Sequence, residues 1–254
     1  MSHIRGVIFD LGNTLMFLDD EWEAVRSRGA ADLVEFLRQS GMNVDAERFG
    51  EDYLETRRLF YETAVNEAKE YSAAYTLQLA LKQSGLKDVS QDLIEGALRA
   101  FFAFEEERWT AYDEAGDTLR ELSQRGYRLA LISNATDDPL IQRLVDRFGF
   151  RRWFEMALTS AGVGLRKPHP GIFDKVLSRW SFSPSQVVMI GDTLRFDIAG
   201  ARNYGMKGVL AAWDLYPDYD AGADHIIPDA TADSLPQLVE LISHLDVQPR
   251  LGSE

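Results

Sequence analysis

The first apolar run of the chain, Gly6-Val7-Ile8-Phe9 within residues 4–10, has no polar position inside it. Such a run reads as a strand buried on both faces. From about residue 20 to residue 108 the pattern changes to apolar positions at helical spacing, and four helices are predicted there. They span residues 21–39, closed by Ser40-Gly41, residues 45–70, residues 73–83, closed by Ser84-Gly85, and a stretch from the N-cap Ser90 to about residue 109. Beyond Tyr112 strand and helix alternate. A helix over 113–125 leads to a strand at 128–132, and Pro139 sits in the first turn of the next helix, where its missing N–H does no harm. Strands at 156–159 and 187–190 are followed by helices at 171–180 and 196–204, strands at 207–212 and 225–227, and a closing helix at 236–244. Continuous apolar strands alternating with helices predict an α/β core, a parallel sheet covered on both faces. The helical block is then an all-α insertion. Residues 1–18 and 110–246 form the core, residues 19–109 the insertion, and residues 247–254 a disordered tail.

Composition narrows the function classes. The 254 residues suit a core with an inserted second unit, and 45% apolar with 27% charged residues is an ordinary globular balance. With no cysteine, disulfides and thiolate metal sites are excluded, and a cytoplasmic home is expected. No run approaches the roughly 20 apolar residues of a membrane span, and residues 1–5 predict no leader. A formal net charge of −14 repels polyanions, so no nucleic acid and no membrane partner is expected. The same field repels a phosphorylated small molecule, so any phosphate site must rely on local positive charge and a metal.

In a parallel sheet, ligands bind at the carboxyl ends of the strands. The first strand ends Phe9-Asp10-Leu11-Gly12-Asn13-Thr14 and the next Ile132-Ser133-Asn134; Arg166-Lys167-Pro168 follows in a loop, and Ile190-Gly191-Asp192-Thr193 precedes Asp197. Each terminus delivers a carboxylate, a hydroxyl or an ammonium to one edge. That assortment suits phosphoryl transfer: one carboxylate attacks, a hard cation held by carboxylates offsets the repulsion between anions, and lysine with small donors holds the equatorial oxygens.

The four segments, in this order, closely resemble the motifs of the haloacid dehalogenase-like superfamily in its phosphatase form, from about Arg5 to His244. The resemblance implies a Rossmann-like three-layer core, an aspartyl-phosphate intermediate and a helical cap over the site. It implies Mg2+ as cofactor and a small phosphorylated molecule as partner, in a monomer or homodimer. By the same resemblance Asp10 is nucleophile and metal ligand, Asp192 is a metal ligand, and Asp197 ligates or supports the metal. Gly12 offers the metal its carbonyl. Ser133 and Lys167 bind phosphate, and Thr14 and Asn134 belong to the same phosphate-binding group, Asn134 by shaping the loop.

One position departs from the pattern. Family phosphatases carry a second aspartate two residues after the nucleophile, which protonates the leaving alcohol and then activates water; here that residue is Gly12, followed by Asn13, one of the few side chains that tolerate a positive φ. Asp19, Asp20, Glu21 and His169 are candidates to take over the role, against the plainer reading that they cap helices or face solvent. The missing acid also brings in two rivals. Haloacid dehalogenases lack it, but usually replace Gly-Asp of the fourth motif, which this chain keeps. A noncatalytic phospholigand- or partner-binding protein is the other, with Trp22, Phe101, Phe102, Phe104 and Trp109 as a recognition surface rather than core.

Overall fold

The computed structural model describes residues 3–215 and 220–245; the expected disordered tail lies outside the described residues. Strand β1 (Gly6–Phe9) is buried at all four positions. A short strand β2 (Met16–Leu18) follows, then helices α1 (Trp22–Gln39), α2 (Ala46–Glu67), α3 (Ala73–Gln83) and α4 (Gln91–Arg108). The Ser90 hydroxyl accepts from Leu93 N and caps α4 as expected, and the Ser72 hydroxyl accepts from Tyr75 N and caps α3 in the same way. Strand β3 (Trp109–Ala111) runs antiparallel to β2, with Phe17 opposite Thr110, and closes the helical block at its base. The sequence reading misses this pair, because three residues abutting a helix carry no period of their own.

Alternation then sets in with α5 (Ala115–Gln124), β4 (Arg128–Ser133), α6 (Asp138–Arg147), β5 (Met156–Thr159), the single turn α7 (Ser160–Val163), α8 (Pro170–Trp180) and β6 (Val187–Gly191). It ends with α9 (Ala199–Tyr204), β7 (Lys207–Ala211), β8 (Ala230–Ala232) and α10 (Gln237–Leu245). The sheet order is β5-β4-β1-β6-β7-β8, and all five pairings are parallel. Strand β1 is therefore central, with Phe9 beside Leu131 on one side and Ile190 on the other. Both faces are covered, as the apolar runs require. Val7 and Phe9 pack with Leu119 and Leu238 on one face, and Ile8 packs with Val176 and Trp180 on the other. The first of these clusters continues into the helical block through Leu33, Leu77 and Phe101.

Two boundaries need correction. Residues 225–227 are not a strand. Ile226 N closes a turn onto Ala223 O, Ile227 is 67% exposed, and Pro228 has no N–H for a ladder. The last strand is β8, which pairs Ala230 with Val209. The helix expected over 196–204 begins instead as a π-type turn over Leu194–Ile198, in which Asp197 N and Ile198 N both reach Thr193 O. The wider turn matters at the site, as π-turns commonly do.

Within the insertion α1 crosses α4 so closely that a Cβ on Gly29 would lie 2.4 Å from Phe101 O. Backbone cannot retreat as a side-chain tip can. Gly29→Ala is therefore expected to destabilise the protein by about 1–3 kcal/mol, seen as a lower urea midpoint. An unchanged midpoint would mean that the crossing is looser than described.

Candidate active site

Asp10, Ser133 and Asp192 stand at the carboxyl ends of β1, β4 and β6, so the sheet register alone brings them to one edge. Each is nearly buried, at 8%, 6% and 5% exposure. Lys167 arrives from the loop before α8 and is 1% exposed. Its Nζ donates to Asp10 Oδ1 and lies 2.7 Å from Asp197 Oδ1. The second contact is an ion pair off the direction of a hydrogen bond. Asn134 fixes the lysine's backbone from both ends: its amide Nδ2 donates to Lys167 O at 3.0 Å, and its Oδ1 accepts from Lys167 N at 2.8 Å. Both ends of the Asn134 amide are thus engaged with the loop that carries Lys167.

Asp197 is held in turn. Its Oδ2 accepts from Thr193 Oγ1 at 2.6 Å and from Thr193 N at 3.1 Å, a geometry set by the π-turn. Gly191 makes room for it, since a Cβ there would fall 2.2 Å from Asp197 Cγ. Asn13 takes the expected positive φ, 54°, and its Nδ2 donates to Asp192 Oδ2 at 3.3 Å, a contact that the sequence reading does not foresee. Thr14 alone of the expected site residues stands apart: it is fully buried in the turn after β1, and its hydroxyl has no hydrogen-bond partner.

Electrostatics follow from this packing. Burial lifts the Asp10 carboxyl from its ordinary 3.8 to about 6; Lys167 opposes the rise and Asp197 adds to it. Asp192 is also held well above the usual carboxylate range, by burial first and by the Asp10 and Asp197 charges next. For Lys167, burial favours the neutral amine, but the Asp10 and Asp197 carboxylates outweigh it and keep the ammonium. Among the described residues no three acidic or imidazole side chains are gathered closely enough to form a ready metal cluster. Lys167 and Thr193 between them engage both oxygens of Asp197, whereas Lys167 takes only one oxygen of Asp10 and Asn13 only one of Asp192, so Asp10 and Asp192 each keep an oxygen for a cation. Two carboxylates with a backbone carbonyl such as that of Gly12 is a donor set that fits Mg2+, which keeps several of its own waters.

A cavity of about 260 Å³ lies over this edge. Besides the residues above, its walls include Trp22, Arg57, Tyr61, Phe102, Glu105 and Trp109 from the helical block and its closing strand. Of the five aromatic residues weighed as a recognition surface, Trp22, Phe102 and Trp109 line it. Trp109 flanks the position two residues after Asp10: its ring lies 3.4 Å from a Cβ built on Gly12, an ordinary van der Waals contact, so a side chain there would pack beside the ring. Its Nε1 donates to Glu105 Oε1 at 3.2 Å. None of the four candidate substitutes lines the cavity. Asp20 accepts from Glu21 N and His169 Nδ1 accepts from Gly171 N, helix-start roles both. Arg57 and Glu105 were not foreseeable, because an arginine within a helix and a glutamate in the run Glu105-Glu106-Glu107 both read as solvated surface.

This parallel α/β sheet with its strand-end carboxylates defines a class of hydrolase. The family model for haloacid dehalogenase-like hydrolases matches residues 4–205, and the chain belongs to that family. It is 30% identical to a phosphoserine phosphatase of Thermus thermophilus over 89% of this chain and 88% of that one. It is 28% identical to a glyceraldehyde 3-phosphate phosphatase of Pyrococcus furiosus, covering 95% and 94% of the two. Among solved structures it resembles a 2-haloacid dehalogenase of Pseudomonas syringae pv. Tomato, with a TM-score of 0.68 at 28% identity over 95% and 99% of the chains.

The packing predicts a titration. In the metal-free protein the Asp10 carboxyl is expected to change charge near pH 6, followed by NMR of its carboxyl carbon, and Lys167→Met should move the midpoint higher. A carboxyl raised on folding binds its proton more tightly in the native state. Its contribution to stability is therefore largest in acid and is lost as pH rises towards 6. A midpoint near 4 would contradict the buried environment described.

Proposed function

We propose that the protein is a magnesium-dependent phosphomonoesterase acting on a small phosphorylated metabolite, with Asp10 as nucleophile. The observation that carries this reading is the meeting of the Asp10, Lys167 and Asp192 side chains at one buried strand edge. The phosphatase names of the relatives support it. On this reading residues 19–109 are a cap over a core built from 1–18 and 110–246.

A phosphate monoester enters the cavity with its phosphorus before Asp10. Lys167 and the Ser133 hydroxyl bind its equatorial oxygens and stabilise charge that builds there. Asp197 and Asn134 act by holding Lys167. Bound between Asp10 and Asp192, the cation would screen the repulsion between phosphate and nucleophile. An Asp10 oxygen forms the new bond to phosphorus as the ester P–O bond breaks, and the leaving oxygen keeps the electron pair. Water then attacks phosphorus in the aspartyl-phosphate, the bond from phosphorus to the Asp10 oxygen breaks, and inorganic phosphate leaves with a proton from the water as the Asp10 carboxylate is restored.

The weak point is the proton. Gly12 stands at the position of the usual acid, and general acid–base help is worth roughly 10²–10⁴-fold, about 3–5 kcal/mol of barrier. That loss falls on alkoxide leaving groups and spares phenols, anomeric oxygens and acyl phosphates. The reading therefore calls for a phosphatase that is slow or selective.

The likeness to the Pseudomonas dehalogenase keeps a second reading in view, halide displacement by the same Asp10. Gly191-Asp192, with Asp192 buried against Asp10, favours the phosphatase, because a halide needs no cation to leave.

Assays of alkyl and aryl phosphates with and without magnesium separate these readings. Metal-dependent phosphate release, faster for aryl esters and abolished in Asp10→Asn, is expected. Metal-independent halide release from a 2-haloacid would favour the dehalogenase. Magnesium binding, seen as a raised melting temperature, without turnover of any ester would favour a binding protein. Gly12→Asp is expected to speed alkyl esters by about 10-fold or more, because a Cβ at this position meets the Trp109 ring only at van der Waals distance. No gain on alkyl esters would contradict the account of the missing acid.

A further inference from the structure

The motifs supply no acid for the leaving group, but the helical block places a carboxyl in the cavity wall. Besides Asp10, Asp192 and Asp197, the carboxyl groups lining the cavity are those of Glu105 and Asp137, and among the described residues no histidine lines it. Asp137 serves the fold: its Oδ1 accepts from Leu140 N at 2.8 Å and caps α6. Glu105 has no such duty at a helix start. It sits one turn before Trp109 at the end of α4, and side chains four apart on a helix share a face. Its Oε1 accepts from Trp109 Nε1, while Oε2 has no hydrogen-bond partner among the described residues and is not sealed from solvent.

The indole ring connects this carboxyl with the gap at Gly12. A Cβ built on Gly12 lies 3.4 Å from Trp109 Cη2 and 3.8 Å from Cζ3, at the benzo edge, and its chain neighbours aside it meets nothing else within 4 Å. Glu105 holds the opposite edge of the ring through Nε1. The space beside Gly12 is therefore open, and Glu105 stands one ring's width from it on the same cavity. A water in that space joins the two, within the one-water reach of a general acid. The surroundings also keep a proton on Glu105. Burial raises its carboxyl above the usual range; Arg57 and the Trp109 N–H oppose the rise, Asp137 adds to it and Arg26 opposes it weakly. Neither arginine is committed to Glu105: Arg57 donates to Thr136 Oγ1 and lies over Phe101 and Phe102, and Arg26 lies over Trp22.

From this arrangement we infer that Glu105 protonates the leaving oxygen and then activates the hydrolytic water, through one water in the space that Gly12 leaves open. The inference rests on the phosphatase reading and deepens it. As the ester P–O bond breaks, the leaving oxygen takes a proton from the bridging water, and that water takes one from the Glu105 carboxyl. The alcohol departs, and Glu105 is left as a carboxylate. In the second half Glu105 takes back a proton, by the same route, from the water that attacks phosphorus; the other proton of that water leaves with phosphate. Glu105 then stands as it began. A relay through water is longer than a direct bond, so it recovers only part of the help of an adjacent acid and leaves the preference for good leaving groups in place.

The test is Glu105→Gln, assayed on small alkyl and aryl phosphates with magnesium. The amide keeps an oxygen for the Trp109 N–H but has no acidic proton. The readout is kcat/KM, which reports the step that expels the alcohol. It is expected to fall by about 10-fold or more on alkyl esters and by less than about three-fold on aryl esters, because only the alkoxide needs the proton. An equal loss on both classes would mark a structural part, and no loss an idle one. Either result, or turnover of aryl esters with none of alkyl esters, overturns the inference and leaves the phosphatase reading standing. The Gly12→Asp background gives a second check. There a carboxyl stands nearer the leaving oxygen, and the alkyl loss from Glu105→Gln should shrink to about two-fold, since two groups sharing one task do not add. A loss of undiminished size in that background overturns the inference. If the wild type releases phosphate from no ester, the inference and the phosphatase reading fall together.

Discussion

The arrangement at the strand edge depends on one buried cation. Lys167 has almost no contact with solvent, and an ammonium taken out of water is costly by several kcal/mol unless anions meet it. Asp10 and Asp197 meet it here, and each is fixed by the fold: Asp10 by the end of the central strand, Asp197 by Thr193 and by the space that Gly191 leaves. Asn134 pins the lysine's backbone from the neighbouring strand. Carboxylates that would repel one another are thus held together, and the carboxylates of Asp10 and Asp192 remain at hand for a cation from solution.

The catalytic edge was legible in the chain because both faces of a parallel sheet are buried. Its strands then become unbroken apolar runs, and the first polar residue after each run marks the edge. Asp10, Ser133 and Asp192 could be read off in this way, and Asn13 announced its positive φ by its side chain. What was not legible depends on three-dimensional placement. The strands Met16–Leu18 and Trp109–Ala111 are too short to show a period, and the apolar pair Ile226-Ile227 imitates a strand that Pro228 forbids. The π-turn at Asp197 has the same composition as an ordinary helix start. The cavity wall contributed by Arg57, Glu105 and Trp109 depends on how each element is turned about its axis, which apolar spacing fixes only to within a face.

Trp109 borders the gap that Gly12 leaves. The buried indole ring lies 3.4 Å from a Cβ built on Gly12, which makes that side of the site apolar without filling the place of an acid. On the proposed reading the chain has groups for attack on phosphorus and none at Gly12 for moving the proton. Such a site would favour substrates whose leaving oxygen departs as an anion, and it would slow the clearing of the covalent intermediate, because the water that performs it has no base beside Gly12.

The central claim is that Asp10 becomes phosphorylated during turnover. Rapid acid quench of the protein with an aryl phosphate and magnesium, followed by peptide mass spectrometry, tests this directly. A phosphorylated peptide containing Asp10, formed in a burst before steady turnover and absent in Asp10→Asn, is the result predicted. Steady phosphate release with no phosphorylated peptide, or with the phosphoryl group on another residue, would contradict the account.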